Sequence, residues 1–324
     1  MENKYSRKYI IGTGIGLQDV DNLKNSDFFL KEADRYIKGE ISLDELDNII
    51  TSYYENKKDE DERVIEADKS SVKIGALISD DSFSFTIGQL IAIHKQLFDG
   101  VFPHAGKLRS YNFSKREWVL DGASVAYGDY RDLSMTLQYD LDEEKKFNYA
   151  SLSIDDVIDH LALFVANLWQ IHAFEEGNTR TTAVFLIKYL RTLGFDVTND
   201  LFEKNSRYFR NALVRANYKN IQKKIYEDRS FLIKFLRNLL LGEQNELHNR
   251  DLVVHQIPVE IVKEMDRRMR ILTIMKNNPK VKVTDIASEL NISERTVKSI
   301  INILEEQGLL KRLNGKRFGY WEVQ

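Results

Sequence analysis

Nine consecutive residues, His172-Ala173-Phe174-Glu175-Glu176-Gly177-Asn178-Thr179-Arg180, carry the groups that phosphate-centred transfer requires. His172 can accept a proton near neutral pH. Glu176 offers hard carboxylate oxygens suited to Mg²⁺. Gly177 and Asn178 tolerate the positive φ angles from which backbone N–H groups converge on an anion. Thr179 to Thr182 open the next helical stretch, whose first N–H groups and dipole favour phosphate. Arg180 adds a fork-shaped donor. The segment lies between VIDHLALFVANLWQI and TTAVFLIKYLRTLGF, two strongly apolar helical patterns. A polar loop is therefore held on a rigid scaffold.

HAFEEGNTR resembles the signature of the Fic (filamentation-induced-by-cAMP) family, most of whose members transfer AMP from ATP to a hydroxyl side chain of a protein. The likeness extends to IHKQLFDGVFPHAGKLR, similar to the helix and Gly-x-x-Arg turn that open the Fic core, and to SRYFRNALVRANY, similar to a later helix beside the adenine pocket. Roughly residues 68–245 are covered. The resemblance implies His172 as general base and Glu176 as the ligand of an Mg²⁺ ion, with Mn²⁺ as a substitute. It implies a phosphate cradle from Gly177, Asn178, Thr179 and Arg180, with Phe174 turned into the core. Phe113, Ser114, Lys115 and Arg116 would belong to a β-hairpin flap over the nucleotide, a target-docking element spanning 113–127. Tyr208, Phe209 and Asn217 would border the adenine and ribose.

Two departures stand out. Thr179 occupies a position where many members have glycine. Ala183 stands where the fuller HxFxxGNGRxxR signature has its second arginine, which supports the γ-phosphate and pairs with a glutamate of an inhibitory helix, (S/T)xxxE(G/N). Thr51 to Asn56 fits that helix pattern, and Ser70 to Gly75 has the same frame with Ile74 in place of glutamate. With no arginine at 183, the reading favours an N-terminal lobe that packs on the core without clamping ATP.

The rest of the chain must position this loop. Its 324 residues, 43% hydrophobic and 30% charged, exceed one ordinary domain and exclude a chain disordered throughout. With no cysteine, disulfides, thiolate zinc sites and a cysteine nucleophile are excluded. No apolar run approaches the roughly 20 residues of a membrane span, and the N-terminus lacks a signal-peptide core. A soluble, cytoplasmic protein without membrane partners is expected. The expected fold class is mainly α: an N-terminal helical, antitoxin-like lobe (1–65), a Fic-type helical core (66–245) with a β-hairpin flap turning at Asp121-Gly122, a connector (246–263) and a C-terminal winged helix-turn-helix (264–324). In the lobe, Ser42 and Glu45 are spaced as a capping box. His94 and His160 fall in apolar helical periods and read as packing residues. His104 and Arg109 read as parts of a structural turn, and His248 and His255 as solvated connector residues. No histidine pair has zinc spacing.

Residues 264–324 carry 12 Lys/Arg against 8 Asp/Glu, a balance of +4 within a chain total of −3. VTDIASELNISERTVKSIINILEEQG reads as helix-turn-helix, with Thr284 and Ser293 as N-caps, and two strands around Asn314-Gly315 complete a wing. Arg295 and Lys298 on the second helix, with Lys316 and Arg317 in the wing, are the candidates for phosphates or base edges of DNA. Winged helices also bind proteins or dimerise, so DNA, protein and a homodimer all stay open as partners. The functional expectation is an ATP- and Mg²⁺-dependent protein adenylyltransferase acting on a Tyr, Ser or Thr hydroxyl, its own included. The alternatives are a DNA-binding transcriptional regulator with a nucleotide-sensing or weakly active Fic domain, and a transferase of another phosphate-linked group.

Overall fold

The computed structural model describes residues 4–55, 57, 61–254, 259–313 and 319–323, with the side chains of 259–266 left aside. The chain divides after Val254 into two compact units. In the first, helices α1 (Arg7–Gly16), α2 (Asp27–Ile37), α3 (Leu43–Glu55) and α4 (Glu62–Ser79) precede α5 (Ile87–Phe98), α6 (Leu133–Lys146), α7 (Ile154–Ile171), α8 (Asn178–Thr192), α9 (Leu201–Ala216) and α10 (Ser230–Leu241). One apolar core runs from Tyr5 to Leu252. Residue 65, where the sequence suggests the lobe ends, lies inside α4, which packs on α1, α3, α5 and α8.

Local chemistry explains the helix starts. Ser42 N donates to Glu45 Oε2 at 2.6 Å while Glu45 N donates to Ser42 Oγ at 3.1 Å, a complete capping box. Ser26, Thr86 and Ser153 cap α2, α5 and α7 through side-chain oxygens. The N-terminal segment reaches the core because α1 presents glycine to α4: a Cβ on Gly14 would lie 2.2 Å from Ser71 O. Any larger residue there would force the two helices apart.

Helix α8 is buried from Asn178 to Leu190, so its apolar character follows from being surrounded. Lys188, within that run, is satisfied by donating to the carbonyls of Leu77 (2.8 Å) and Asp80 at the C-terminal end of α4, where a cation is favoured. The scaffold of the motif loop is thus a core helix tied to the N-terminal segment.

The expected flap strands do not pair. The turn at Asp121-Gly122 is present, both residues having positive φ (54° and 81°), but it follows a 3₁₀ turn, Trp118–Leu120, and is closed by Glu117 N to Ala123 O at 2.9 Å. Segment 113–127 is a folded loop without a ladder because its groups are engaged elsewhere. Lys115 and Glu117 pair with side chains of other elements, and Val119 O accepts from Val254 N at 2.7 Å.

In the second unit, α11 (Val259–Asn277), α12 (Val283–Leu290) and α13 (Glu294–Glu306) pack with strands β1 (Leu310–Leu313) and β2 (Tyr320–Val323) around Ile271, Ile286, Val297, Ile300, Leu304 and Trp321. The strands are antiparallel, Leu310 facing Val323, and form the only sheet among the described residues. Ser293 caps α13 by accepting from Thr296 N at 3.1 Å. Thr284 is no cap: α12 begins one residue earlier, after Lys282, so Thr284 lies within the first turn. The wing tip at Asn314-Gly315 lies outside the described residues.

Candidate active site

Helix α7 ends at Ile171, and the chain leaves it through His172 in the left-handed conformation, φ 52°. That backbone is unusual for a residue with a Cβ, and Arg109 fixes it. Arg109 Nε donates to His172 O at 2.7 Å, and its N–H donates to Ala173 O at 3.0 Å. Its other guanidinium nitrogens donate to the carbonyls of Tyr111, Gly128 and Ile171 and to Asn112 Oδ1. Arg109 is buried, and it ties the motif loop to both ends of segment 113–127.

Within the loop, Phe174 turns into the core and stacks on His94 at 3.8 Å. His94 Nδ1 accepts from Gly106 N at 2.8 Å while Nε2 lies 3.1 Å from Glu176 O, which sets its neutral tautomer. Burial lowers its pKa to about 4. Asn178 closes the turn, its Oδ1 accepting from Phe174 N (2.9 Å) and its Nδ2 donating to Phe174 O (2.7 Å). Gly177 must be glycine on two counts. Its φ is +75°, and a Cβ would lie 2.2 Å from Phe98 Cε2.

His172 is 4% exposed, with both ring nitrogens lacking hydrogen-bond partners. Tyr127 stacks on its ring at 3.9 Å, and Phe113 and Trp169 meet it at 5.6 and 5.3 Å. Burial, reinforced by the Lys115 charge, holds its pKa well below the ordinary value, so it is neutral at pH 7. A neutral imidazole with unused nitrogens is equipped to take a proton. Unpaired polar atoms at such depth are costly, and in native proteins they concentrate at functional sites.

The side chains beside His172 divide into those facing the loop and those committed elsewhere. Lys115 Nζ bridges both carboxylate oxygens of Glu176, at 2.8 and 3.0 Å. Phe113 lies over His172, while Ser114 and Arg116 are exposed on the same segment. The residues of the expected phosphate cradle have inward side chains. Thr179 Oγ1 accepts from Trp169 Nε1 at 2.9 Å. Arg180 is 0% exposed and pairs with Glu66 (2.5 Å) and Asp21 (3.1 Å), with Gln18 Oε1 at 3.1 Å. The side chain of Arg180 is therefore tied to the N-terminal segment. What the loop leaves for an anion is the α8 N-terminus, whose first N–H groups have no intrahelical partner.

Three further candidates lie on α9 or at its C-terminal end. Phe209 belongs to an aromatic core cluster with Phe202 and Phe235, at 5.2 and 5.0 Å. Tyr208 is buried, which pushes its phenol pKa up. Asn217 ends α9 and donates to the carbonyls of Ala166 and Leu213, both at 2.9 Å. Tyr208 and Phe209 are thus core side chains, and Asn217 is held by backbone carbonyls. Sequence reasoning did not anticipate the buried pair Glu117–Arg210 (2.7 Å) that pins segment 113–127 to α9. On the second unit, Arg295 and Lys298 are exposed on α13, Lys298 lying 3.4 Å from Glu294. Lys316 and Arg317 lie outside the described residues.

Residues 84–190 match the Fic/DOC family, and residues 266–311 match the winged helix-turn-helix DNA-binding family. The chain carries a Fic/DOC domain. The motif loop, its α7–α8 scaffold and segment 113–127 all lie inside the matched span. A winged helix-turn-helix domain follows it. A crystal structure of a Fic family protein from Desulfovibrio desulfuricans is similar at 15% identity and a TM-score of 0.46, over 98% of this chain and 87% of that one. Likeness at that level leaves the assignment to the family matches. No curated protein matches the chain. Among the described residues no helix is long and apolar enough to cross a membrane.

A divalent cation is implied by the Fic resemblance. Among the described residues no group of three or more potential ligands gathers, so an all-protein cage is absent. The donor set instead suits an ion such as Mg²⁺, held by one carboxylate and by substrate phosphates. Glu176 fits that role: its side chain is 38% exposed, and its one described side-chain partner is the Lys115 ammonium.

Proposed function

We propose that the Fic/DOC domain is a protein adenylyltransferase, moving AMP from ATP to a Tyr, Ser or Thr hydroxyl. The observation that carries this reading is His172: neutral, with both ring nitrogens unused, four residues before Glu176 and six before the first turn of α8. In the transfer, the acceptor oxygen forms a bond to the α-phosphorus as the bond from that phosphorus to the bridging oxygen breaks. Pyrophosphate leaves, and His172 takes the hydroxyl proton. The loop N–H groups orient the phosphates, and the aromatic walls around His172 exclude water. Glu176 would hold the divalent cation, which when bound neutralises charge developing on the pyrophosphate.

The test is intact-mass spectrometry of wild type and His172→Ala after incubation with ATP and Mg²⁺. A wild-type gain of whole adenylyl groups, absent in the variant, supports the reading and allows the modified residue to be mapped. A gain equal in both proteins removes His172 from the chemistry.

A second reading is favoured by one feature. His172 is covered by Tyr127 and Phe113, so a substrate hydroxyl reaches it only after segment 113–127 moves. A closed site in a chain that also carries a winged helix suits a DNA-binding regulator whose Fic domain responds to nucleotide as well. DNA binding that changes with ATP, unaffected by His172→Ala, would select this reading.

A further inference from the structure

We infer that Lys115 is the resident counter-ion of Glu176 and exchanges with the divalent cation: the cation takes the Glu176 carboxylate, and Lys115 moves onto the polyphosphate. The inference rests on the preceding reading only in taking a nucleotide polyphosphate as the ligand.

Three cations bear on His172: Lys115, Arg210 and Arg109. Arg109 is spent on backbone carbonyls, and Arg210 is locked in a two-pronged pair with Glu117, at 2.7 and 2.9 Å. The motif arginine, Arg180, is buried between Glu66 and Asp21, and Ala183 brings no charge. Lys115 differs from these three. Its side chain is 27% exposed, and its ammonium sits on a single carboxylate, that of Glu176, whose side chain is 38% exposed. Such a half-wet pair is weak and parts readily.

The geometry makes Lys115 and a metal ion alternatives. Both oxygens of Glu176 face the ammonium at hydrogen-bond distance, so a cation entering that carboxylate meets a like charge within a few ångströms. A polyphosphate arriving with its cation resolves the conflict, since it supplies oxygens to the displaced ammonium. The same exchange loosens one ionic tie of segment 113–127 and leaves the Glu117–Arg210 pair in place. Metal without nucleotide binds against Lys115, whereas metal with nucleotide binds with its help.

The experiment is a Mn²⁺ titration followed by electron paramagnetic resonance, on the full chain without nucleotide. Wild type, Lys115→Met, Lys115→Gln, Lys115→Arg and Glu176→Gln are compared, each checked for an unchanged melting curve. The two neutral variants should bind Mn²⁺ about fivefold more tightly than wild type, a factor set by the strength of a half-exposed ion pair. Lys115→Arg should behave as wild type, and Glu176→Gln should lose the site. A second arm measures a fluorescent ATP analogue at saturating Mg²⁺, where Lys115→Met should bind about tenfold more weakly than wild type. Equal Mn²⁺ affinity in wild type and both neutral variants would overturn the exchange. Neither arm reads transfer, so an inactive enzyme that shows the exchange would count against adenylyl transfer alone.

Discussion

Arg180 Nη2 lies 2.5 Å from Glu66 Oε1, joining the first turn of α8 to the first turns of α4 across 114 positions of sequence. The arginine is wholly buried and the glutamate nearly so, and Asp21 and Gln18 complete the set. Removing one partner would strand a buried charge. Arg180→Ala or Glu66→Gln should each destabilise the first unit by about 3–5 kcal/mol. The Arg180→Ala/Glu66→Gln double variant should lose less than the sum. Urea unfolding of the four proteins measures this, and additive losses would show that the two side chains are not coupled.

Stability should fall on acidification below about pH 6.5. His94 and His172 have lowered pKa values in the folded state, about 4 for His94, so the unfolded chain binds more protons once the pH drops below the ordinary histidine value of 6.5. The stabilisation is therefore present above that value and is lost towards pH 4. Protonated His94 would also turn an N–H against Gly106 N. Melting temperatures between pH 7.5 and 4.5 should decline, and His172→Phe should flatten part of the slope.

Gly177→Ala should disrupt the loop. The added methyl meets the Phe98 ring at 2.2 Å and sits at φ +75°. Positive φ and overpacking each cost on the order of 1–3 kcal/mol. The urea midpoint should drop accordingly, with partial recovery in a Gly177→Ala/Phe98→Ala double variant. Unchanged stability would mean that the loop backbone differs from the one described.

The winged helix makes a separate prediction. Arg295 and Lys298 are exposed on α13. If they contact DNA phosphates, each change to Ala should weaken duplex binding and reduce the salt slope by about 0.9. Fluorescence anisotropy across a salt series checks this, and slopes identical to wild type would remove both residues from the interface.

Local chemistry was the legible part of the sequence. The Ser42–Glu45 capping box, the Ser293 cap, the Asp121-Gly122 turn and the helix-flanked motif loop are written in neighbouring residues, and the structure has them all. The flap strands failed because their polar groups are claimed by distant partners, which a short β-prone run does not reveal. Arg180 shows the same limit. Its motif position spoke for phosphate, while Glu66 and Asp21 lie more than a hundred residues away with no local mark of the pairing. Tyr208, Phe209 and Asn217 were placed by likeness to a helix, yet their burial follows from how α9 packs on α7 and α10. Lys115 could be placed near the loop from sequence, but its grip on Glu176 needed coordinates.

The most direct test of adenylyl transfer follows the two ends of the triphosphate separately. Wild type and His172→Ala are incubated with Mg²⁺ and ATP labelled at either the α- or the γ-phosphate, with a mixture of acceptor proteins present. Adenylyl transfer predicts protein-bound label from the α-position only, and its loss in His172→Ala. Label retained from the γ-position, α-label that survives the substitution, or no protein-bound label at all would contradict it.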